Sequence, residues 1–174
     1  MILFRNADRD VPFLWESDAQ PAARWHADGE GPAHYTATTA DAAWAEFLRH
    51  DEITDPADLA GVERALWAIE VPDDEPLATP RLGRATLVGG RETYPRCRRE
   101  AVRLRGSGAR GLRAPSAALR TGPSGWRTQD GLRPGPPRRA ETVVLYGPRP
   151  DLVGWAACAV GRPRDDLLPQ VRHF

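Results

Sequence analysis

Three side chains of this 174-residue chain combine chemically useful types with even spacing: Arg24, Tyr35 and Glu46 follow one another at intervals of 11 residues. A guanidinium grips phosphate groups through paired N–H donors. A tyrosine offers a flat apolar ring with a polar tip. A carboxylate stabilises positive charge that develops beside it. Each residue also has a plainer role. Arg24 precedes Trp25 and can lie across its ring, Tyr35 can be a core residue with its hydroxyl at an edge, and Glu46 can be a solvated position on a helix. The ordered set favours a site.

The elements that must position the three are legible nearby. Residues 28–32 read Asp-Gly-Glu-Gly-Pro and predict a turn. His34, Tyr35 and Thr36 suit a short strand. Thr38 is expected to cap the following helix, with Asp41 favouring its positive end. Ala40, Trp44, Phe47 and Leu48 form an apolar stripe at helical spacing that should end near His50. Glu46 lies off that stripe, about 200° around the helix from Trp44.

Arg24-Trp25, a strand ending His34-Tyr35-Thr36-Ala37, and a helix carrying Ala45-Glu46 together resemble the RES domain family. Farther on, Gly111 to Ala117 resembles the family's later serine-containing strand, after a helix that begins near Tyr94. The resemblance covers roughly residues 1–150; His26 stands where asparagine is common, and Ala22 and Ala23 replace a small-glycine run. It implies a fold related to ADP-ribosyltransferases and an NAD-degrading toxin paired with a helical antitoxin. NAD would then be a substrate, not a recycled cofactor, cleaved at its nicotinamide–ribose bond by inorganic phosphate or water. Arg24, Tyr35 and Glu46 would be catalytic, and Arg24, Trp25, His26, Tyr35 and Ser116 would contact the substrate. Two rivals share the motif: transfer of ADP-ribose onto a protein, and a catalytically silent domain acting through a partner.

Few helices and several short strands outside strict alternation predict one α+β domain spanning residues 1–174. The resemblance sharpens this to a mixed, split, ADP-ribosyltransferase-like sheet. Strands are expected at 2–5, 65–71, 111–117, 142–146 and 155–160, a short one closing at 87–90, and a helix over 94–105. Residues 6–23 read as loop with Trp15 anchored in the core, Arg5 as an exposed edge residue, 121–140 as a mobile loop, and 167–174 as a docking tail.

Net charge is zero but uneven: residues 1–80 carry 5 Arg against 17 Asp and Glu, and residues 81–140 carry 15 Arg against 3. The basic middle predicts either an anion site or a surface packed against the acidic half. Nothing beside the arginines resembles a nucleic-acid module, so direct binding of nucleic acid is not expected. No apolar run is long enough to span a bilayer, and no signal segment is visible, so a cytoplasmic protein is expected. Cys97 and Cys158 give no disulfide framework and no metal spacing, and both read as small buried residues. No metal is expected, and self-association into a homodimer is left open.

Overall fold

The computed structural model describes every residue except 124–125, 129 and 135–136. In chain order the elements are β1 (Ile2–Asp8), β2 (Ala33–Ala37), α1 (Ala40–His50), β3 (Arg64–Glu70), β4 (Leu77–Ala78), α2 (Arg84–Val88), α3 (Tyr94–Gly106) and β5 (Gly111–Pro115). Four short strands follow, β6 (Gly122–Pro123), β7 (Trp126–Thr128), β8 (Leu132–Pro134) and β9 (Pro137–Arg138), then β10 (Glu141–Tyr146) and β11 (Val153–Gly161). Seven strands make a mixed sheet in the order β11-β3-β1-β2-β10-β5-β4. All neighbours are antiparallel except β4 and β5. The expected α+β class with a mixed sheet and few helices is what the chain adopts.

The sheet is narrowly joined in its middle. β1 pairs with β3 in continuous register from Ile2 opposite Glu70 to Asp8 opposite Arg64. β2 pairs equally well with β10, from Ala33 opposite Tyr146 to Ala37 opposite Thr142. Between β1 and β2 the register holds one pair, Phe4 opposite Ala37. Because side chains alternate across a strand, Phe4, Tyr35, Ala37 and Thr142 share one face of this seam.

α1 lies over that face. Trp44 and Leu48 are buried and Phe47 packs partly against the same core, as the stripe predicts. Asn6 of β1 donates to the Ala43 carbonyl at 2.5 Å, so the helix is tied to the strand beneath it. The helix cap is Thr39, whose hydroxyl accepts from the Ala42 amide at 3.1 Å. Thr38, expected in that role, instead exchanges backbone and hydroxyl hydrogen bonds with Glu141; the residue after β2 is claimed by the start of β10. Over the same face, on the β10–β5 side of the seam, α2 and α3 bury Leu87, Cys97, Ala101 and Leu104 against Leu112, Ala114 and Val144. The opposite face of the sheet is filled by Leu3, Ile69, Val143, Leu145 and Leu152.

Several expectations are corrected. β1 continues to Asp8, because its pairing with β3 outlasts its apolar residues. Residues 84–88 form α2, not the close of a strand. Arg5 is buried, gripping Glu16 with both terminal nitrogens, whereas Trp15 is 52% exposed. Cys97 is buried as expected, but Cys158, on edge strand β11, is half-exposed. The loop expected over 121–140 lies partly outside the described residues; the described ones form two short antiparallel pairs, β6 with β9 and β7 with β8. Part of the basic middle packs against the acidic half, through Arg91–Glu52, Arg105–Glu30 and Arg110–Glu75. Among the described residues, no helix is long and apolar enough to cross a membrane.

Candidate active site

A cleft of about 300 Å³ opens above the seam, and Arg24, Tyr35 and Glu46 all line it. Its floor is Phe4, Tyr35, Ala37 and Thr142; one wall is α1, through Ala43, Glu46, Phe47, Arg49 and His50; the other includes Arg24 and Tyr94. A second hollow of about 410 Å³ shares Ala23, His50 and Tyr94 with it and adds Arg91 and Arg98.

Arg24 sits in the tight turn bridged by Ala23 and His26, ahead of the glycine turn that leads into β2. Gly29 and Gly31 take φ of 75° and 82° there, left-handed values that suit glycine. The guanidinium lies 4.7 Å over the Tyr94 ring. It donates to the carbonyls of Thr86 (3.3 Å) and Gly89 (2.6 Å) and to the Thr93 hydroxyl (3.1 Å). Arg49 arrives from α1 and donates to the same Gly89 carbonyl at 2.8 Å and to that of Ala117. Two cations therefore meet at one oxygen. Among the described residues no carboxylate lies in ion-pair contact with either arginine. Burial lowers the Arg49 pKa, opposed by the nearby Glu46 charge. Gly89 must be glycine at this point, since a Cβ would sit 2.8 Å from the Ala85 carbonyl and 2.5 Å from the Thr93 methyl.

Glu46 is partly buried, with a quarter of its side chain exposed. Its Oε1 accepts from the hydroxyls of Ser116 (3.3 Å) and Thr142 (3.1 Å), while Oε2 lies 3.9 Å from His50 Nε2. Ser116 Oγ also accepts from the Leu119 amide at 3.0 Å. Its hydroxyl is thus aimed at Glu46, not at the open cleft. The carboxylate is held by two neutral hydroxyl donors. The α1 wall brings Glu46 inward, so it is not the solvated position that the helical wheel alone would allow.

Tyr35 is placed differently from a substrate-gripping hydroxyl. Its oxygen accepts from the Trp25 amide at 2.8 Å and lies 3.0 Å from His26 Nδ1. His26 Nε2 is 2.8 Å from the Pro21 carbonyl and must donate to it, so Nδ1 accepts the Tyr35 proton. Burial lowers the His26 pKa, which suits this neutral tautomer, and burial raises that of Tyr35. The hydroxyl pins the Arg24-Trp25-His26 loop, while the ring lines the floor. Trp25 is itself buried in the core beneath, with its carbonyl accepting from the Tyr146 hydroxyl at 3.3 Å.

Arg49, Tyr94, Thr142 and the Gly89 carbonyl escaped the reading of the sequence. Arg49 alone carried a signal: three residues beyond Glu46 on a helix, it is obliged to share that face. Among the described residues no cluster of three or more His, Cys, Asp or Glu could hold a metal.

A family model described as RES domain matches residues 5–128 of the chain, which spans Arg24, Tyr35, Glu46 and Ser116. No curated protein matches the chain at a significant level.

Proposed function

Because the chain belongs to the RES domain family, whose members are associated with NAD and with toxin–antitoxin systems, we propose that it cleaves NAD at the nicotinamide–ribose bond. One observation carries the reading: two arginines that, among the described residues, have no carboxylate in ion-pair contact converge at the Gly89 carbonyl, in the same cleft as a carboxylate held by two hydroxyls. That arrangement suits a substrate with an anionic linker and a reacting carbon that turns cationic.

Arg24 and Arg49 would receive the pyrophosphate, exchanging weak carbonyl contacts for charged ones. Glu46 would face the ribose. The C–N bond to nicotinamide breaks and its electron pair leaves with the ring, which becomes neutral. The sugar carbon gains positive charge, which Glu46 stabilises, and an oxygen of inorganic phosphate or water then bonds to that carbon. A site of this volume encloses the reacting half of a dinucleotide, with the adjoining arginine-lined hollow in line for the rest. Tyr35 and His26 act by fixing the loop that delivers Arg24. In a toxin–antitoxin pair, the mouth of this cleft is the surface a helical antitoxin would cover.

Glu46→Gln separates chemistry from binding. A glutamine oxygen still accepts from Ser116 and Thr142, so the fold is retained. Loss of the charge is expected to lower kcat by about 10²- to 10³-fold, the scale for removing one preorganised electrostatic group, with NAD still bound. The assay is nicotinamide release with and without phosphate, and a phosphate-dependent rate assigns phosphorolysis over hydrolysis. Equal rates for both proteins would remove Glu46 from the chemistry.

A further inference from the structure

His50 and Tyr94, which line both hollows, pack against Phe174, a residue outside the family-matched segment. Residues 170–174 run alongside the segment after β5. Leu119 bridges Val171, the Arg120 amide donates to the Gln170 carbonyl, and the Arg172 amide donates to that of Ala118. The Arg172 side chain adds bonds to the Ser116 and Ala117 carbonyls at 3.0 and 3.1 Å. This strap delivers the Phe174 ring to the rim of the cleft. There the guanidinium carbons of Arg49 and Arg91 stand 4.3 and 4.5 Å from its centroid. One ring thus serves two guanidiniums at cation–π distance. The ring edges meet His50 and Tyr94, at 5.7 and 6.5 Å between centroids. Arg49 belongs to the first hollow, Arg91 to the second, and His50 and Tyr94 to both.

We infer that Phe174 is a positioning residue: its ring is a shared cation–π partner of Arg49 and Arg91 and orients one arginine of each hollow to receive the successive anionic groups of one substrate. The ring attracts both cations through its quadrupole, which limits the orientations open to buried Arg49 and to largely exposed Arg91. Arg91 is further steadied by Glu52 at 2.9 Å. Arg49 has only the carbonyls of Ala117 and Gly89 besides the ring. The inference rests on the anion-binding reading of the cleft given above.

The test titrates inorganic pyrophosphate into the full chain by calorimetry, for wild type, Phe174→Leu and Phe174→Trp, with a melting curve for each. Phe174 is 41% exposed, so all three are expected to fold. Leucine keeps apolar bulk without the quadrupole and is expected to weaken pyrophosphate binding by roughly 3- to 30-fold, the range of a cation–π contact. Tryptophan is expected to retain it. With NAD, Phe174→Leu should raise KM and leave kcat near that of wild type. Wild-type affinity in Phe174→Leu would overturn the inference, as would wild type failing to bind pyrophosphate. If binding depends on the ring but no nicotinamide is released by any of the proteins, the inference stands and NAD cleavage falls.

Discussion

Two sets of buried arginines in this molecule are treated in opposite ways. Behind the sheet, Arg149 grips both Glu75 and Asp151, at 2.9 to 3.1 Å, with its side chain wholly buried. In the cleft, Arg24 and Arg49 have carbonyls, a hydroxyl and aromatic faces, and among the described residues no acid in ion-pair contact. A buried charge is costly unless it is compensated. Behind the sheet the compensation is internal, and the arginine serves as a clamp. In the cleft it is left incomplete, which is the condition under which a guanidinium gains most from an arriving anion.

The contrast breaks most visibly at Arg149. Arg149→Ala leaves buried Glu75 with the 3.8 Å contact to half-exposed Arg110 in place of two close hydrogen bonds, and should cost about 3–5 kcal/mol of stability. Chemical denaturation reads that loss, while the folded fraction should bind NAD normally. Altered NAD affinity would show that the two sets are not separate. Arg24→Ala should do the reverse, weakening NAD binding by about 2–5 kcal/mol in titrations. Some stability is lost as well, since Thr86, Gly89 and Thr93 lose their donor. Arg24→Lys should recover little, because an ammonium lacks the planar fork. Unchanged NAD affinity in Arg24→Ala would end the anion role.

Gly89→Ala tests the meeting point without touching a charge. The added methyl collides with the Ala85 carbonyl and displaces the oxygen that both arginines share. A loss of about 1–3 kcal/mol in stability is expected, with weaker binding of pyrophosphate; a variant indistinguishable from wild type would show that the carbonyl position is not critical. The smallest effect comes from His26. Its folded pKa lies below the ordinary value of 6.5 because of burial. As pH falls through 6.5, the unfolded chain takes up the proton first, so this contribution to stability is complete above 6.5 and declines below it. A His26→Gln variant should show a flatter melting temperature between pH 7 and the acid side. A slope identical to wild type would assign the acid sensitivity elsewhere.

The sequence made α1 legible because its apolar stripe is local and periodic, and it placed Arg24, Tyr35 and Glu46 on the elements that do converge. What it could not convey depends on distant partners. Arg5 reads as an edge residue until Glu16 folds back onto it. Ser116 looks like a ligand-binding hydroxyl until Glu46, 70 residues earlier, takes its proton donor. Nothing local distinguishes the Gly89 carbonyl from any other, and a phenylalanine 46 residues past the matched segment gives no sign that it packs beside Arg49 of the cleft. Charge counts likewise could not separate Arg105 and Arg110, which pair with the acidic half, from cations left for a substrate.

The one-pair seam between β1 and β2 has a mechanical side. The sheet is two stiff plates, β11-β3-β1 and β2-β10-β5-β4, joined along a line that the backbone barely stitches. α1 acts as the splint, fastened to one plate where Asn6 meets Ala43 and to the other where Thr142 and Ser116 meet Glu46. The proposed catalytic carboxylate is therefore also a rivet. Any ligand that draws on Glu46 pulls on the join between the plates, and amide protection on both sides of it should rise or fall together as the cleft fills and empties.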